Sequence, residues 1–175
     1  MKITLIRHTS VAVEPGICYG WTDVEVAPSF QEEAALVREN IAREHFNAVF
    51  SSPLSRCRKL AAFCGFPNPT TDDRLKELNF GRWEMQKWEE IKDPLLEQWY
   101  NNWVELPAGA AESYQNQCLR VREFLSELKQ SPYQHACIFT HRGVIASAMV
   151  YAGLCSVEDS FSVEVPYGSK NSIIL

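Results

Sequence analysis

Arg7 and His8 stand side by side, directly after the run Ile3-Thr4-Leu5-Ile6. A neutral imidazole can attack phosphorus, and a neighbouring guanidinium can hold phosphoryl oxygens in a fixed fork while charge moves during transfer. An isolated Arg-His pair is more often a surface feature, so the reading needs support elsewhere in the chain. Arg56 supplies some. It follows Ser51-Ser52-Pro53-Leu54, where Ser52 is expected to cap a helix and Pro53 to take its first position. A cation near that first turn opposes the helix dipole unless an anion shares the site, and a bound phosphate removes the conflict. His141 closes the run Ala136-Cys137-Ile138-Phe139-Thr140, and Gly143 opens a turn into an apolar stretch. Of the four histidines, His8 and His141 follow strand-like runs, whereas His45 and His135 read as solvated residues at the polar ends of elements.

The elements that must position these groups alternate. Residues 2–6, 47–50, 136–140 and 172–175 have strand patterns. Phe30, Ala34, Val37 and Ile41 share one helical face behind a Ser29-to-Glu32 capping-box spacing. The Arg56 helix is expected to end near Gly65, before the breaker Pro67-Asn68-Pro69. Tyr114, Cys118, Val121, Leu125 and Leu128 form another helical stripe, expected to face the core. In an open α/β sheet the carboxyl ends of the strands converge on one crevice, so His8 and His141 are expected to meet there. Strand-helix alternation implies a three-layer α/β/α sandwich. Residues 83–113, with Trp83, Trp88, Trp99 and Trp103, are the least patterned; their rings are expected to pack as helices over the core more than to touch substrate.

With these residues in place the chain resembles the histidine phosphatase superfamily, the phosphoglycerate mutase-like enzymes. Arg7-His8 matches its opening motif, Ser51-Ser52-Pro53-Leu54 with Arg56 its second phosphate-binding segment, and Thr140-His141 with Gly143-Val144-Ile145 its second histidine motif. Leu75, Glu77, Phe80-Gly81 and Trp83-Glu84 resemble the segment that carries the proton donor. Gly16-Ile17-Cys18-Tyr19-Gly20-Trp21-Thr22-Asp23 is similar to a stretch of the α-ribazole phosphatases. Three positions depart from the pattern: Arg142 and Met85 stand where glycine is common, and Ala111 precedes Glu112-Ser113 in place of glycine. Arg142 is expected to point to solvent.

The resemblance implies a mostly parallel central sheet and a phosphomonoesterase that works through a phosphohistidine, with α-ribazole 5′-phosphate as substrate. A broader small-molecule phosphatase, a phosphoglycerate mutase and a phosphate-binding module without turnover are the alternatives. His8 is the expected nucleophile, and Arg7, Arg56 and His141 are expected to hold the phosphoryl oxygens. Glu77 is the expected proton donor; without the resemblance, Glu84 and Glu112 compete for that role. Tyr19, Trp21 and Asp23 are candidate substrate contacts. No metal or other cofactor is expected, because the arginines and histidines already supply the compensating charge.

Composition fits such an enzyme. At 175 residues and 46% hydrophobic the chain can bury a substantial core, and residues 1–175 are expected to form one domain. A net charge of −5 argues against nucleic acid or an anionic membrane as partner, leaving a small phosphate monoester. The six cysteines show no Cys-x-x-Cys spacing and are expected to be reduced thiols. The longest apolar run, 144–152, is too short to cross a bilayer, and the charged first strand does not read as a secretory leader, so a cytoplasmic protein is expected.

Overall fold

Strand β1 (Lys2–Arg7) buries all four of its interior residues in the computed structural model, which describes residues 1–175. Burial on both faces is what a central strand of a covered sheet requires. Its Ile3 and Leu5 join one apolar cluster and Ile6 another. Strand β4 (His135–Thr140) divides in the same way, Ala136 and Ile138 to the first cluster and Cys137 and Phe139 to the second. This two-residue period places the sheet as the middle layer.

Helices α1 (Phe30–Ile41) and α2 (Ser55–Phe63) cover one face through Ala34, Val37, Ile41, Leu60 and Ala61. Helices α4 (Tyr114–Lys129) and α5 (Arg142–Tyr151) cover the other through Val121, Leu125, Leu128, Ile145 and Ala148. The sheet order is β3-β2-β4-β1-β5, with β2 at Ala48–Ser51, β3 at Thr70–Thr71 and β5 at Lys170–Ile174. All neighbours are parallel except β1 and β5. The fold is therefore the expected three-layer α/β/α sandwich with a mostly parallel sheet. No helix is long and apolar enough to cross a membrane.

Several local expectations need correction. Helix α2 begins at Ser55, with Leu54 as its flanking residue, so Ser52 and Pro53 lie in the preceding turn. Ser29 forms no capping box; its hydroxyl donates to Glu33 at 2.6 Å, and Glu33 also accepts from the Ser10 amide. His135 is half-buried, paired with the Thr4 hydroxyl at 2.9 Å and stacked edge-on against Phe46. The tryptophan segment holds one regular helix, α3 (Pro94–Asn101), and otherwise short 3₁₀ turns. There Trp83, Trp99 and Cys18 form a third apolar cluster, with Trp88 stacked on Trp99 at 5.9 Å. Met85 adopts φ 65°, a left-handed backbone that accounts for the glycine common at this position.

Candidate active site

Parallel pairing builds the site directly. Arg7 of β1 sits opposite Thr140 of β4, so His8 and His141, each one residue further on, emerge next to each other. Their ring centroids are 5.2 Å apart. Strand β2 ends alongside, at Ser51 opposite Phe139, and Ser52 then reaches His141 Nε2 at 2.8 Å through its hydroxyl. Three strand ends thus meet in one crevice.

His8 is only 2% exposed, and its Nδ1 lies 2.7 Å from the Thr9 carbonyl oxygen. A carbonyl can only accept, so Nδ1 carries the hydrogen and Nε2 keeps a lone pair. Burial, and then the Arg56 guanidinium, push the His8 pKa down to about 3, although the Thr9 bond pulls the other way. His141 is fully buried and is likewise driven well below its ordinary value, first by burial and then by Arg56. Both rings are therefore neutral near pH 7.

Arg56, 0% exposed in the first turn of α2, donates to the carbonyls of Gly20 at 2.6 Å and Thr22 at 3.0 Å. Gly20 itself leaves no room for a side chain, since a Cβ there would lie 1.9 Å from the Leu78 carbonyl oxygen. Arg7 donates to the Val165 carbonyl at 2.5 Å and lies 3.9 Å from the Tyr167 ring centroid. The Nε groups of both arginines are buried without a protein acceptor. Two unpaired cationic donors beside two neutral imidazoles form a receptor for an anion.

Glu77 lines the same cavity as Arg7 and His8. Its Oε1 accepts from the Leu78 amide at 2.9 Å and from Gln117 Nε2 at 3.0 Å, and its Oε2 accepts from the Gly143 amide at 3.2 Å. A Cβ on Gly143 would fall 2.3 Å from Glu77 Oε1 and would displace that carboxylate. The rival carboxylates are occupied. Glu84 accepts from the amides of Trp21, Thr22 and Phe80. Glu112 pairs with Arg120 at 2.6 Å and accepts from the Asn79 amide, so Ala111 leaves it firmly held.

Of the expected substrate contacts, Tyr19 lines the cavity, its hydroxyl 2.7 Å from that of Tyr167. Burial and that bond push the Tyr19 pKa upward. Asp23 does not line it. Its carboxylate instead accepts from the amide and hydroxyl of Ser55, anchoring the start of α2. Trp21 backs the site, donating through Nε1 to the Glu77 carbonyl at 2.7 Å. Arg142, expected in solvent, lines the cavity and donates to the carbonyls of Phe161 and Val163.

The sequence reading missed Ser52 as a partner of His141, and also Gln117, Phe161 and Tyr167. Tyr167 lies between Pro166 and Gly168, in a segment with no periodic signal. The cavity has a volume of about 380 Å³, and beyond the charged end Ile17, Leu78, Phe80, Trp88 and Phe161 give it an apolar wall.

The sequence profile of the histidine phosphatase superfamily (branch 1) matches residues 3–174. The chain belongs to that superfamily. A provisionally named phosphoserine phosphatase 2 of Hydrogenobacter thermophilus is 32% identical over 152 residues, covering 82% of this chain and 74% of that protein. A phosphoglycerate mutase of Thermus thermophilus is 29% identical, with a TM-score of 0.78 over 98% of this chain and 92% of its own. The alpha-ribazole phosphatase of Shigella flexneri shares the fold, with a TM-score of 0.90 over 100% of this chain and 91% of its own at 22% identity. This histidine phosphatase is a phosphoric monoester hydrolase.

Proposed function

We propose that the enzyme hydrolyses its ester through a phosphohistidine on His8, with α-ribazole 5′-phosphate as substrate, a step of cobalamin nucleotide-loop assembly. The observation that carries the chemistry is the His8 tautomer: a buried neutral ring whose Nδ1 is tied to Thr9, leaving the Nε2 lone pair for attack. Arg7 and Arg56 offer their unpaired Nε donors to the nonbridging oxygens. A phosphate dianion also reverses the local field at His141 and favours its protonated, donating form.

Attack of Nε2 on phosphorus breaks the bond to the ester oxygen, and Glu77 gives that oxygen a proton as it leaves. With Oε1 tied to two donors and Oε2 only to the Gly143 amide, Oε2 is the oxygen that exchanges the proton. Water then attacks phosphorus, its proton passes to the Glu77 carboxylate, and the N–P electron pair returns to His8. The two arginines supply the charge compensation that a metal supplies in other phosphatases.

The apolar wall favours an aromatic leaving group, whose ring face it can cover. Phosphoserine fits less well. Its ammonium needs a carboxylate, and the single one lining the cavity is Glu77, which the chemistry engages. Its own carboxylate would have to draw Arg142 from the Phe161 and Val163 carbonyls.

The test is phosphate release by chelator-treated wild type and His8→Ala protein on α-ribazole 5′-phosphate, nucleoside monophosphates, phosphoserine and phosphoglycerates. His8-dependent activity highest on α-ribazole 5′-phosphate supports the full reading. A preference for phosphoserine overturns the substrate assignment, and His8-independent release overturns the mechanism.

A further inference from the structure

Gln117 sits on α4 with 0% exposure and lines the cavity, yet only one half of its amide is used. Nε2 donates to Glu77 Oε1 at 3.0 Å, whereas Oε1 is buried with no protein donor. The orientation is forced while Glu77 is ionised, since a flipped amide would set oxygen against oxygen. Its Oε1 lies beside Gly143 of α5, where a Cβ would fall 2.8 Å from it. A buried amide oxygen left unpaired costs free energy, which a ligand able to donate a hydrogen bond recovers.

The two halves of the reaction differ in how many hydrogens stand beside Glu77. In the first, the leaving ester oxygen takes one proton, and Glu77 provides it. In the second, the attacking water carries two hydrogens at the same position, because a phosphohistidine is opened along the line on which it was made. Glu77 can accept one. The other needs a second acceptor beside Glu77, and Gln117, whose Nε2 already bonds Glu77, carries a buried acceptor without a partner in its Oε1.

We propose that Gln117 orients the hydrolytic water: the water gives one hydrogen to Glu77 Oε2 and the other to Gln117 Oε1, which turns a lone pair toward phosphorus. The water oxygen bonds to phosphorus and the N–P bond breaks with its pair returning to His8. The hydrogen shared with Glu77 transfers, while the one shared with Gln117 stays on the product phosphate. An alcohol in the same place has one hydrogen, which Glu77 takes, and gains nothing from Gln117. The residue therefore favours hydrolysis over transfer to alcohols. This inference rests on the phosphohistidine reading above.

The experiment is partitioning of the phosphoenzyme between water and added methanol, with p-nitrophenyl phosphate as donor and inorganic phosphate and methyl phosphate as products. Gln117→Met and Gln117→Leu should shift the product ratio toward methyl phosphate about three- to tenfold, the worth of one hydrogen bond. The ratio is read within each protein, so a lowered folded fraction cancels. If Gln117 only tethers Glu77, both attacks slow together and an unchanged ratio overturns the proposal. Base-stable, acid-labile label on the protein separates the two levels: wild type lacking such a phosphohistidine and forming no methyl phosphate defeats the phosphohistidine reading, and this inference with it. A phosphohistidine with an unmoved ratio defeats the inference alone.

Discussion

The two ends of the cavity are built differently. At the phosphate end His8, Arg7 and Arg56 are each locked by main-chain oxygen, His8 by Thr9, Arg7 by Val165 and Arg56 by Gly20 and Thr22, and His141 is held by the Ser52 hydroxyl. At the leaving-group end Ile17, Leu78, Phe80, Trp88 and Phe161 sit on irregular segments or 3₁₀ turns, and Phe161 is 56% exposed. On the proposed assignment, a rigid end that performs the reaction and a loosely framed end that chooses the ester can change independently. Related phosphatases can therefore keep one chemistry while their substrates diverge.

The largest break in that contrast is expected at the rigid end. His8→Ala removes the proposed nucleophile, and turnover should fall on the order of 10⁴-fold or more for every ester alike. Inorganic phosphate should still bind, measured as a rise in Tm. A loss confined to some esters would move His8 from the reaction to recognition. Arg56→Lys comes next. One ammonium cannot replace a fork that bonds two carbonyls and still offers Nε, so kcat/KM should fall about 10²- to 10³-fold. Equal phosphate affinity in this variant and wild type would show that the spare Nε binds no anion.

Glu77 lies on the border between the ends. Glu77→Gln keeps the hydrogen-bonding shape but cannot give a proton, so poor leaving groups should slow about 10²-fold while p-nitrophenyl phosphate changes far less in the burst. Equal losses would remove the proton from the account.

The buried histidines carry a pH signature. His8 binds its proton with a pKa of about 3 in the folded protein against an ordinary 6.5. The unfolded chain therefore binds more protons as the pH falls through 6.5, and stability present above that value is lost progressively toward 3. His141 acts in the same direction. The acid limb of Tm against pH should be shallower in His8→Ala than in wild type, and phosphate should restore part of the wild-type loss. Parallel limbs would mean that His8 is not held neutral by the fold.

How much of this was legible in the sequence follows the same division. The sandwich could be read because β1 and β4 carry dense apolar runs and α1 and α4 clear stripes. The meeting of His8 and His141 followed from parallel strands. Ser52 was visible but misassigned: a serine before a proline has the pattern of a helix cap, yet α2 starts at Ser55 and the hydroxyl turns to His141. Asp23 erred in the opposite sense, a conspicuous carboxylate beside a phosphatase-like stretch that is spent on Ser55. His135 was read as solvated from its place at the end of an element, and Arg142 was expected in solvent, but Thr4 and the Phe161 carbonyl approach them from distant elements. Such pairings leave no local periodicity to read.

The smallest expected effect is the sharpest probe of the loosely framed end. Phe161 packs against Trp103 at 5.0 Å, its carbonyl is held by Arg142, and the Arg142 guanidinium lies 4.9 Å from its ring. Phe161→Ala deletes one wall of the cavity but leaves all the groups of the phosphate end in place. An aromatic leaving group should then lose the stacking of one ring, a rise in KM of about tenfold, while kcat and inhibition by inorganic phosphate stay near wild type. Small sugar phosphates, which cannot cover that ring, should change little. The sign of the difference between the two substrate sets decides the point. A uniform KM rise would mean that Phe161 supports the phosphate end through Arg142, and the cavity would then be a single unit whose selectivity cannot be altered without altering its chemistry.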